Sequence, residues 1–234
     1  MSIKDTRLSK GVTSFLFDFM LLVIGIYLAL WMENKVQDWE NNDKQRDYLN
    51  RLSLDLQADI DYLKNIKKRQ ETKITTIEKG IQLIVSGADK TDPAFEEMAV
   101  NMAQSVNNYY FFEPQKFTFL SMRESGDFKL IKDNEIKTKL LELHRQYEFL
   151  DTLQKNYLQG LDTEFIPLWI RHVNMITNEV LDDSVFTNPI FDNMIGFAYN
   201  ETSQRKTLID DVITQAETLQ KMMQVASKKS ESFI

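Results

Sequence analysis

The chain opens with a block of apolar residues that passes into polar sequence without any residue that ends a helix. The stretch FLFDFMLLVIGIYLALWM covers residues 15–32 and carries one charged side chain, Asp18. At about 1.5 Å per residue, these residues span roughly 27 Å as a helix, close to the ~30 Å hydrocarbon thickness of a bilayer. The pattern predicts a transmembrane helix over 15–32.

A cleaved export signal is the alternative interpretation of this block. Such a signal has a shorter apolar core and small residues at its cleavage site. Here Trp31, Met32 and Glu33 stand where the small residues would be. They favour a retained anchor. Tyr27 and Trp31 are also candidate membrane-contact residues, because their amphipathic rings favour the headgroup layer.

Apolar residues then recur at steps of three and four, which is typical of an amphipathic helix. The first series is Leu49, Leu52, Leu56, Ile60 and Leu63, and the second, with a heptad-like step typical of a coiled coil, is Ile74, Ile77, Ile81 and Ile84. No glycine or proline lies between Met32 and Gly80. We therefore expect one helix from the span to about Ser86, with a bend near 41–42, and Gly87 as its stop.

Caps and stops predict the helices that follow. Their expected ranges are 93–106, a short helix after Pro114, 134–158 and 201–228. Asp133 is the expected N-cap of the helix over 134–158, and Gly160 its expected end. Residues 161–200 contain Pro167, Pro189 and Gly196 and predict only short helices.

Amphipathic helices need partners for their apolar faces. The predicted fold class is all-α: a single N-terminal transmembrane helix continuous with an antiparallel helical bundle. The expected division of the chain is a short polar tail (1–14), the transmembrane helix (15–32), a helical bundle domain (33–228) and a frayed tail (229–234).

Two patches together resemble a known family. They are LLVIGIYLALWMENKVQDWE, with its LLVIGI-x-LAL anchor, and FTFLSMRESGDFKLIKDNEIKTKLLELHRQY at 117–147, where the turn SGDFKLIKD precedes a long helix. Both are similar to an uncharacterised family of bacterial single-span membrane proteins, a domain of unknown function. Trp39 lies further from the apolar run than the usual exit of that family. The resemblance implies the architecture and a bacterial inner membrane, but no activity.

Charge bears on partners and on orientation. The formal net charge is -7. Nucleic acid is therefore not an expected partner, because phosphate binding needs clustered Lys and Arg. Lys4, Arg7 and Lys10 precede the span, whereas Lys35 alone follows it within ten residues. The positive-inside rule then predicts a cytoplasmic N-terminus and an extracytoplasmic C-terminal domain.

Motifs for chemistry are missing from the sequence. The chain has no cysteine, no Glu-x-x-His pair, no Gly-x-Ser-x-Gly and no phosphate-binding glycine loop. His144 and Glu148 lie four residues apart, but this spacing is more often a contact on a helix surface than a metal site. The sequence therefore predicts a protein that is not an enzyme and has no cofactor or metal.

Two features remain as candidate sites. Aromatic residues crowd one link and either line a pocket or partner surface or fill the core, the second being the commoner role: Tyr109, Tyr110, Phe111 and Phe112. Asp18 is interpreted as an interfacial acid at a helix N-terminus. In an oligomer it would instead face other copies or an ion path.

The predicted function is a membrane-anchored helical interaction or scaffolding protein, with the lipid bilayer and either further copies of itself or another membrane protein as partners. One alternative is an extracytoplasmic sensor or ligand-binding module. Another is a subunit of a pore or transporter that uses Asp18.

Overall fold

The computed structural model describes residues 5–231, with side chains for residues 15–229. Within these residues the fold is all-helical, with a long apolar helix at its N-terminal end and no strand. The helices are α1 (Asp5–Val85), α2 (Pro93–Asn107), α3 (Phe117–Ser125), α4 (Asn134–Gly160), α5 (Ile166–His172) and α6 (Pro189–Glu231). One isolated β-bridge pairs Val173 with Val180. The predicted tails, 1–14 and 229–234, fall partly outside the described residues.

Helix α1 runs for 81 residues, from before the apolar block into the bundle. Its end confirms the sequence prediction, because Gly87 has a φ of +73° that favours glycine. The Gly87 N–H bonds the Ile84 carbonyl at 3.2 Å, and the Ala88 N–H bonds the Leu83 carbonyl at 3.4 Å. These two hydrogen bonds form a Schellman motif, which provides donors for two of the last free carbonyls of the helix.

Three long helices form the bundle. The α1–α6 contacts pair Glu78 with Tyr199, Lys67 with Asp210 and Ser53 with Gln220. Residue numbers therefore fall along α1 as they rise along α6, so these two helices run in opposite directions. The α1–α4 contacts pair Asp59 with Tyr147 and Lys73 with Tyr157. Helix α4 therefore runs in the same direction as α1, which distinguishes the bundle from a simple up-and-down arrangement.

The core consists of two apolar clusters stacked along α1. The first cluster joins 49–66 of α1 to α3, α4 and the later part of α6. The second joins Ile77 of α1 to α2, α5 and the beginning of α6. Between them lies a set of polar and tyrosine side chains, here called the polar layer: Gln70, Lys73, Tyr109, Tyr157, Thr202 and Arg205. The polar layer thus divides the core into two apolar parts.

Residues 158–201 contain more helix than the sequence predicted, and two glycines, Gly160 and Gly196, lie within it. Gly160 has helical backbone angles, and the chain continues through one π-helical turn, Leu161–Phe165, into α5. Gly160 is the last residue of α4, as predicted. A Cβ on Gly160 would lie 2.7 Å from Cε1 of Phe197, so this glycine also makes room for α6. Gly196 lies inside α6, which begins at Pro189. The prediction that the last helix starts at residue 201 was therefore wrong.

Gly80 supports a testable prediction about packing. A Cβ at this position would overlap the fully buried Met102 side chain of α2. Gly80→Val is therefore expected to lower the free energy of unfolding by about 1–3 kcal/mol. Gly196→Ala, where nothing lies within 4 Å of the added carbon, should raise it by about 0.5–1 kcal/mol. Urea unfolding of the detergent-solubilised chain measures both. Equal changes in the two variants would contradict this account of Gly80.

Candidate functional site

The most exposed part of the described chain is a length of α1 that contacts no other element, here called the stem (residues 15–40). Every side chain in it is exposed. Its apolar part is 15–32, where exposure of the large apolar side chains runs from 47% at Val23 to 70% at Phe15. An 18-residue window there has a mean hydropathy of 2.2 and no burial. The rest, 33–40, is the polar neck, and the first buried side chain after it is Gln45.

Three predicted site residues lie on the stem and contact none of the bundle: Asp18, Tyr27 and Trp31. Helix α1 is already helical at Asp5, so Asp18 lies 13 residues inside it. The partial charge of a helix end acts only within the first turn. The interpretation of Asp18 as an acid at a helix N-terminus was therefore wrong. Trp31 lies 6.0 Å from Lys35 Nζ, measured to the ring centroid.

The four link aromatics divide between core and surface. Phe112 is buried, and its N–H donates to Gln154 Oε1 at 2.8 Å while its carbonyl accepts from Gln154 Nε2 at 3.1 Å. Tyr109 stacks on Tyr157 at 5.6 Å between ring centroids. Tyr110 lies under the Arg69 guanidinium, and Phe111 is exposed. One amide of α4 thus fixes the link across the bundle.

A groove of about 540 Å³ lies between this link, α3 and α4. Its floor is aromatic and includes Phe112, Phe119 and Tyr147, and its rim carries charges of both signs: Glu113, Lys116, Arg123, Glu148, Asp151 and Lys155. His144 also lines it, with its ring stacked on Phe119 at 3.6 Å between centroids. The groove can therefore hold a flat apolar group beside polar ones.

His144 presents one unpartnered polar atom beside the groove. Its Nδ1 lies 2.9 Å from the Leu140 carbonyl and must donate to it, so Nε2 is the acceptor of the neutral ring. Nε2 is buried and has no partner among the described side chains. Burial lowers the pKa of His144. The ring is thus kept neutral, with a buried acceptor at Nε2 next to the groove.

Asp59 lies beneath the groove as a buried carboxylate. Its Oδ1 accepts from the Gln115 N–H at 2.9 Å, and its Oδ2 accepts from the Tyr147 hydroxyl at 3.0 Å. Burial raises the pKa of Asp59 to about 6, although these two hydrogen bonds act in the opposite direction. Asp59 therefore ties α1 to the link and to α4.

The raised pKa of Asp59 predicts a pH dependence of stability. Because the ordinary pKa is 3.8 and the folded value about 6, the folded chain binds more protons between these pH values. The stability that Asp59 gives is complete below 3.8 and is lost as pH rises through about 6. Relative to Asp59→Asn, the wild type should lose up to about 1.4 kcal/mol per pH unit across this window. Urea unfolding at several pH values measures the difference. Asp61→Asn, on an exposed part of α1, is the control, and a pH-independent difference for Asp59→Asn would contradict the assignment.

The polar layer contains two buried basic side chains, Lys73 and Arg205. Lys73 Nζ donates to the carbonyls of Val106 at 3.0 Å and Asn108 at 2.9 Å, and to the Tyr157 hydroxyl at 2.7 Å. Burial, with the nearby Arg205 charge, lowers the pKa of Lys73 to about 6. The Val106 carbonyl belongs to the last turn of α2 and has no helical partner. Lys73 therefore caps α2 from α1.

Arg205 lies over the rings of the same layer. Its Cζ is 4.6 Å from the Tyr157 centroid and 5.1 Å from the Tyr109 centroid. Its Nε and Nη1, like the Tyr109 hydroxyl, have no hydrogen-bond partner among the described atoms. Burial lowers the pKa of Arg205. Its main interactions are therefore cation–π contacts in a water-poor setting.

The sequence was compared with known families and proteins. The profile of DUF6090, a family of unknown function, matches residues 18–203. The chain belongs to this family. The match begins within the stem and includes the groove and most of the polar layer. No curated protein and no solved structure matches the chain.

Among the described side chains, no three His, Cys, Asp or Glu groups converge as they would around a metal ion. Of the polar layer, sequence reasoning singled out Tyr109 alone, and as one of the link aromatics. The available signal was that Gln70 and Lys73 continue the three-and-four spacing of Leu63 and Ile66, at positions where an apolar residue is expected.

Proposed function

We propose that the chain is a single-pass membrane protein whose helical bundle is an interaction or scaffolding module held at a fixed height above the bilayer. The observation that carries this proposal is the exposed stem. Soluble monomers rarely expose apolar patches above a few hundred Å², and the apolar face of 15–32 goes all the way around the helix. A bilayer is the environment that covers such a surface.

The continuity of α1 supports the scaffolding role. The polar neck of 33–40 adds about 12 Å beyond the apolar part, and the same helix then supplies one side of the bundle core. No loop separates anchor from bundle, so the bundle cannot turn freely relative to the bilayer. In this arrangement α6 packs antiparallel to α1 and completes the bundle on the membrane helix.

Alkaline carbonate extraction of membranes tests the anchoring. The full chain should stay in the pellet, because a spanning helix is held by the hydrophobic effect and not by charge. A chain recovered in the supernatant would contradict the proposal. Amine-reactive cross-linking in native membranes tests the interaction role, and a strictly monomeric pattern would count against it.

For orientation, we infer that the N-terminus is cytoplasmic and the bundle extracytoplasmic, in the inner membrane of a bacterium. The excess of Lys and Arg before the span supports this. A reporter active only outside the cytoplasm, fused after Ile234, should give signal. Signal from a cytoplasmic reporter alone would reverse the orientation.

A second candidate function is ligand binding, and the groove favours it. The aromatic floor suits a small planar group, and a small side-chain movement that uncovers His144 Nε2 would let this atom accept a hydrogen bond from it. Indole is a suitable probe in saturation-transfer NMR of the detergent-solubilised chain. Leu120→Trp, which fills the groove, should reduce the indole signal, and Leu141→Trp on the exposed face of α4 should not. Equal signals in both variants would remove this candidate.

A further inference from the structure

The polar neck contains two apolar side chains that the bundle does not cover. Val36 is 56% exposed and Trp39 is 57% exposed. Trp39 lies seven residues beyond Met32, about 10 Å along the helix axis. The headgroup layer adds only about 5–7 Å to each side of the hydrocarbon. Another surface is therefore needed to bury Trp39, whereas Val36, about 6 Å beyond Met32, lies at the level of the headgroups.

Val36 and Trp39 continue a series that begins inside the span. Steps of three and four residues connect one side of the stem, here called the seam: Leu22, Gly25, Ala29, Met32, Val36 and Trp39. This is the a and d spacing of a coiled coil. Gly25 and Ala29 are small residues four apart, which allow two membrane helices to approach closely. Nothing lies within 4 Å of the position of a Cβ on Gly25.

The seam lies on the side of α1 that the bundle leaves free. Leu49, Leu52 and Leu56 point into the core. At 100° per residue, the seam is centred about 160° around the helix from them. A second helix can therefore lie along the seam without colliding with the bundle of either copy.

Charges beside the seam match a parallel second copy of the same helix. Lys35 and Glu40 occupy the flanking g and e positions on either side of Val36 and Trp39. In a parallel pair, Lys35 of one copy faces Glu40 of the other, and this contact forms twice. Such exposed pairs add little affinity, but they select direction and register. The matching series ends at Asp43, where carboxylates of both copies would meet.

The geometry points to a second copy of this chain as the occupant of the seam, in a parallel pair of α1 helices that associate from Leu22 to Trp39. This inference rests on the proposed membrane anchoring, since copies inserted in the same direction are parallel. It assigns one face of α1 to the bundle and the opposite face to the partner. Gly25 and Ala29 set the close approach within the bilayer, and Lys35 and Glu40 set the register above it.

The chain has no cysteine, so single cysteines test the seam directly. Val36→Cys and Trp39→Cys place a thiol in the seam, whereas Asn34→Cys and Asp38→Cys place one on the opposite side of the same neck. With a mild oxidant in native membranes, the seam variants should give at least fivefold more disulfide-linked dimer than the controls. Equal yields from all four positions, or no dimer at Val36→Cys and Trp39→Cys, would overturn the inference.

Charge reversal in the Val36→Cys background tests the direction of pairing. Lys35→Glu and Glu40→Lys should each lower the dimer yield severalfold, because like charges then face each other. The double variant should restore the yield. A double variant as poor as either single one would overturn the parallel register.

Carbonate extraction of the same variants separates failure of the seam from failure of the anchor. Chains that remain in the pellet without seam-specific disulfides refute the dimer and leave the membrane proposal standing. Chains found in the supernatant refute both. Seam-specific disulfides in extracted, pelleted chains support both.

Discussion

Replacing Lys73 with alanine is expected to lower the free energy of unfolding by about 2–4 kcal/mol. The change removes three hydrogen bonds, leaves the Asn108 carbonyl without its Lys73 partner and opens a cavity between the two apolar clusters. Lys79→Ala, on the exposed face of α1, is the matched control and should change stability by less than about 0.5 kcal/mol. Urea unfolding followed by fluorescence of the buried Trp169 measures both variants. Indistinguishable midpoints would show that the polar layer does not stabilise the fold.

Lys73→Met separates charge from volume in the same site. Because the pKa of Lys73 falls from 10.5 to about 6 in the folded chain, the unfolded chain binds more protons between these values. The free energy of unfolding should therefore increase as pH rises from about 6 towards 10.5. The stability gained in this range disappears as pH falls back to about 6. Lys73→Met should reduce this slope by up to about 1.4 kcal/mol per pH unit. An unchanged slope would mean that Lys73 titrates in its ordinary range.

Introducing two arginines into the apolar part of the stem is expected to release the chain from the membrane. The variant is Val23→Arg with Ile26→Arg, near the middle of 15–32. Each arginine at the centre of a span costs about 2.5–3.5 kcal/mol of insertion free energy. The control, Asn34→Arg with Gln37→Arg, has the same spacing in the polar neck and should leave the chain in the carbonate-resistant pellet. Full retention of the Val23 and Ile26 variant would argue against a spanning helix.

Much of the helical layout was predictable because its signals are local. Gly87 ends α1, Pro93 begins α2 behind the Asp92 cap, and Asp133 accepts from the Glu135 and Ile136 N–H groups at the beginning of α4. Each is a contact within one helical turn, so the residue type alone indicates it. The apolar helix was found the same way, from hydropathy in a single window.

The errors concern residues whose role depends on distant neighbours. Gly160 does end α4 as predicted, but nothing in the sequence indicates that the chain continues in a π-helical turn or that Phe197 packs against this glycine. Asp18 was placed at a helix end because it lies one turn from the polar N-terminal end of the apolar block, whereas α1 already includes Asp5. The direction of α4 relative to α1 follows from contacts between residues about 84–88 positions apart. No local pattern contains this information.

The candidate sites divide in the same way. The position of Tyr27 and Trp31 on the apolar helix follows from sequence alone, and their contact with a membrane stays a prediction. The groove forms only where the link aromatics, α3 and α4 come together. The polar layer likewise brings together Lys73 of α1 and Arg205 of α6, which are far apart in sequence. In the sequence, the polar layer shows only as Gln70 and Lys73, two polar residues at positions of an apolar series. Assigning a role to such an interruption requires the fold.

The central claim is that residues 15–32 of α1 lie in a bilayer while the same helix continues into a bundle in water. Cysteine accessibility in membrane fragments open on both sides tests it directly, using a water-soluble maleimide on the cysteine-free chain. Ile26→Cys should remain unlabelled until detergent is added, and Leu54→Cys, 71% exposed on the bundle, should be labelled at once. Labelling of Ile26→Cys at the rate of Leu54→Cys before detergent would contradict the account.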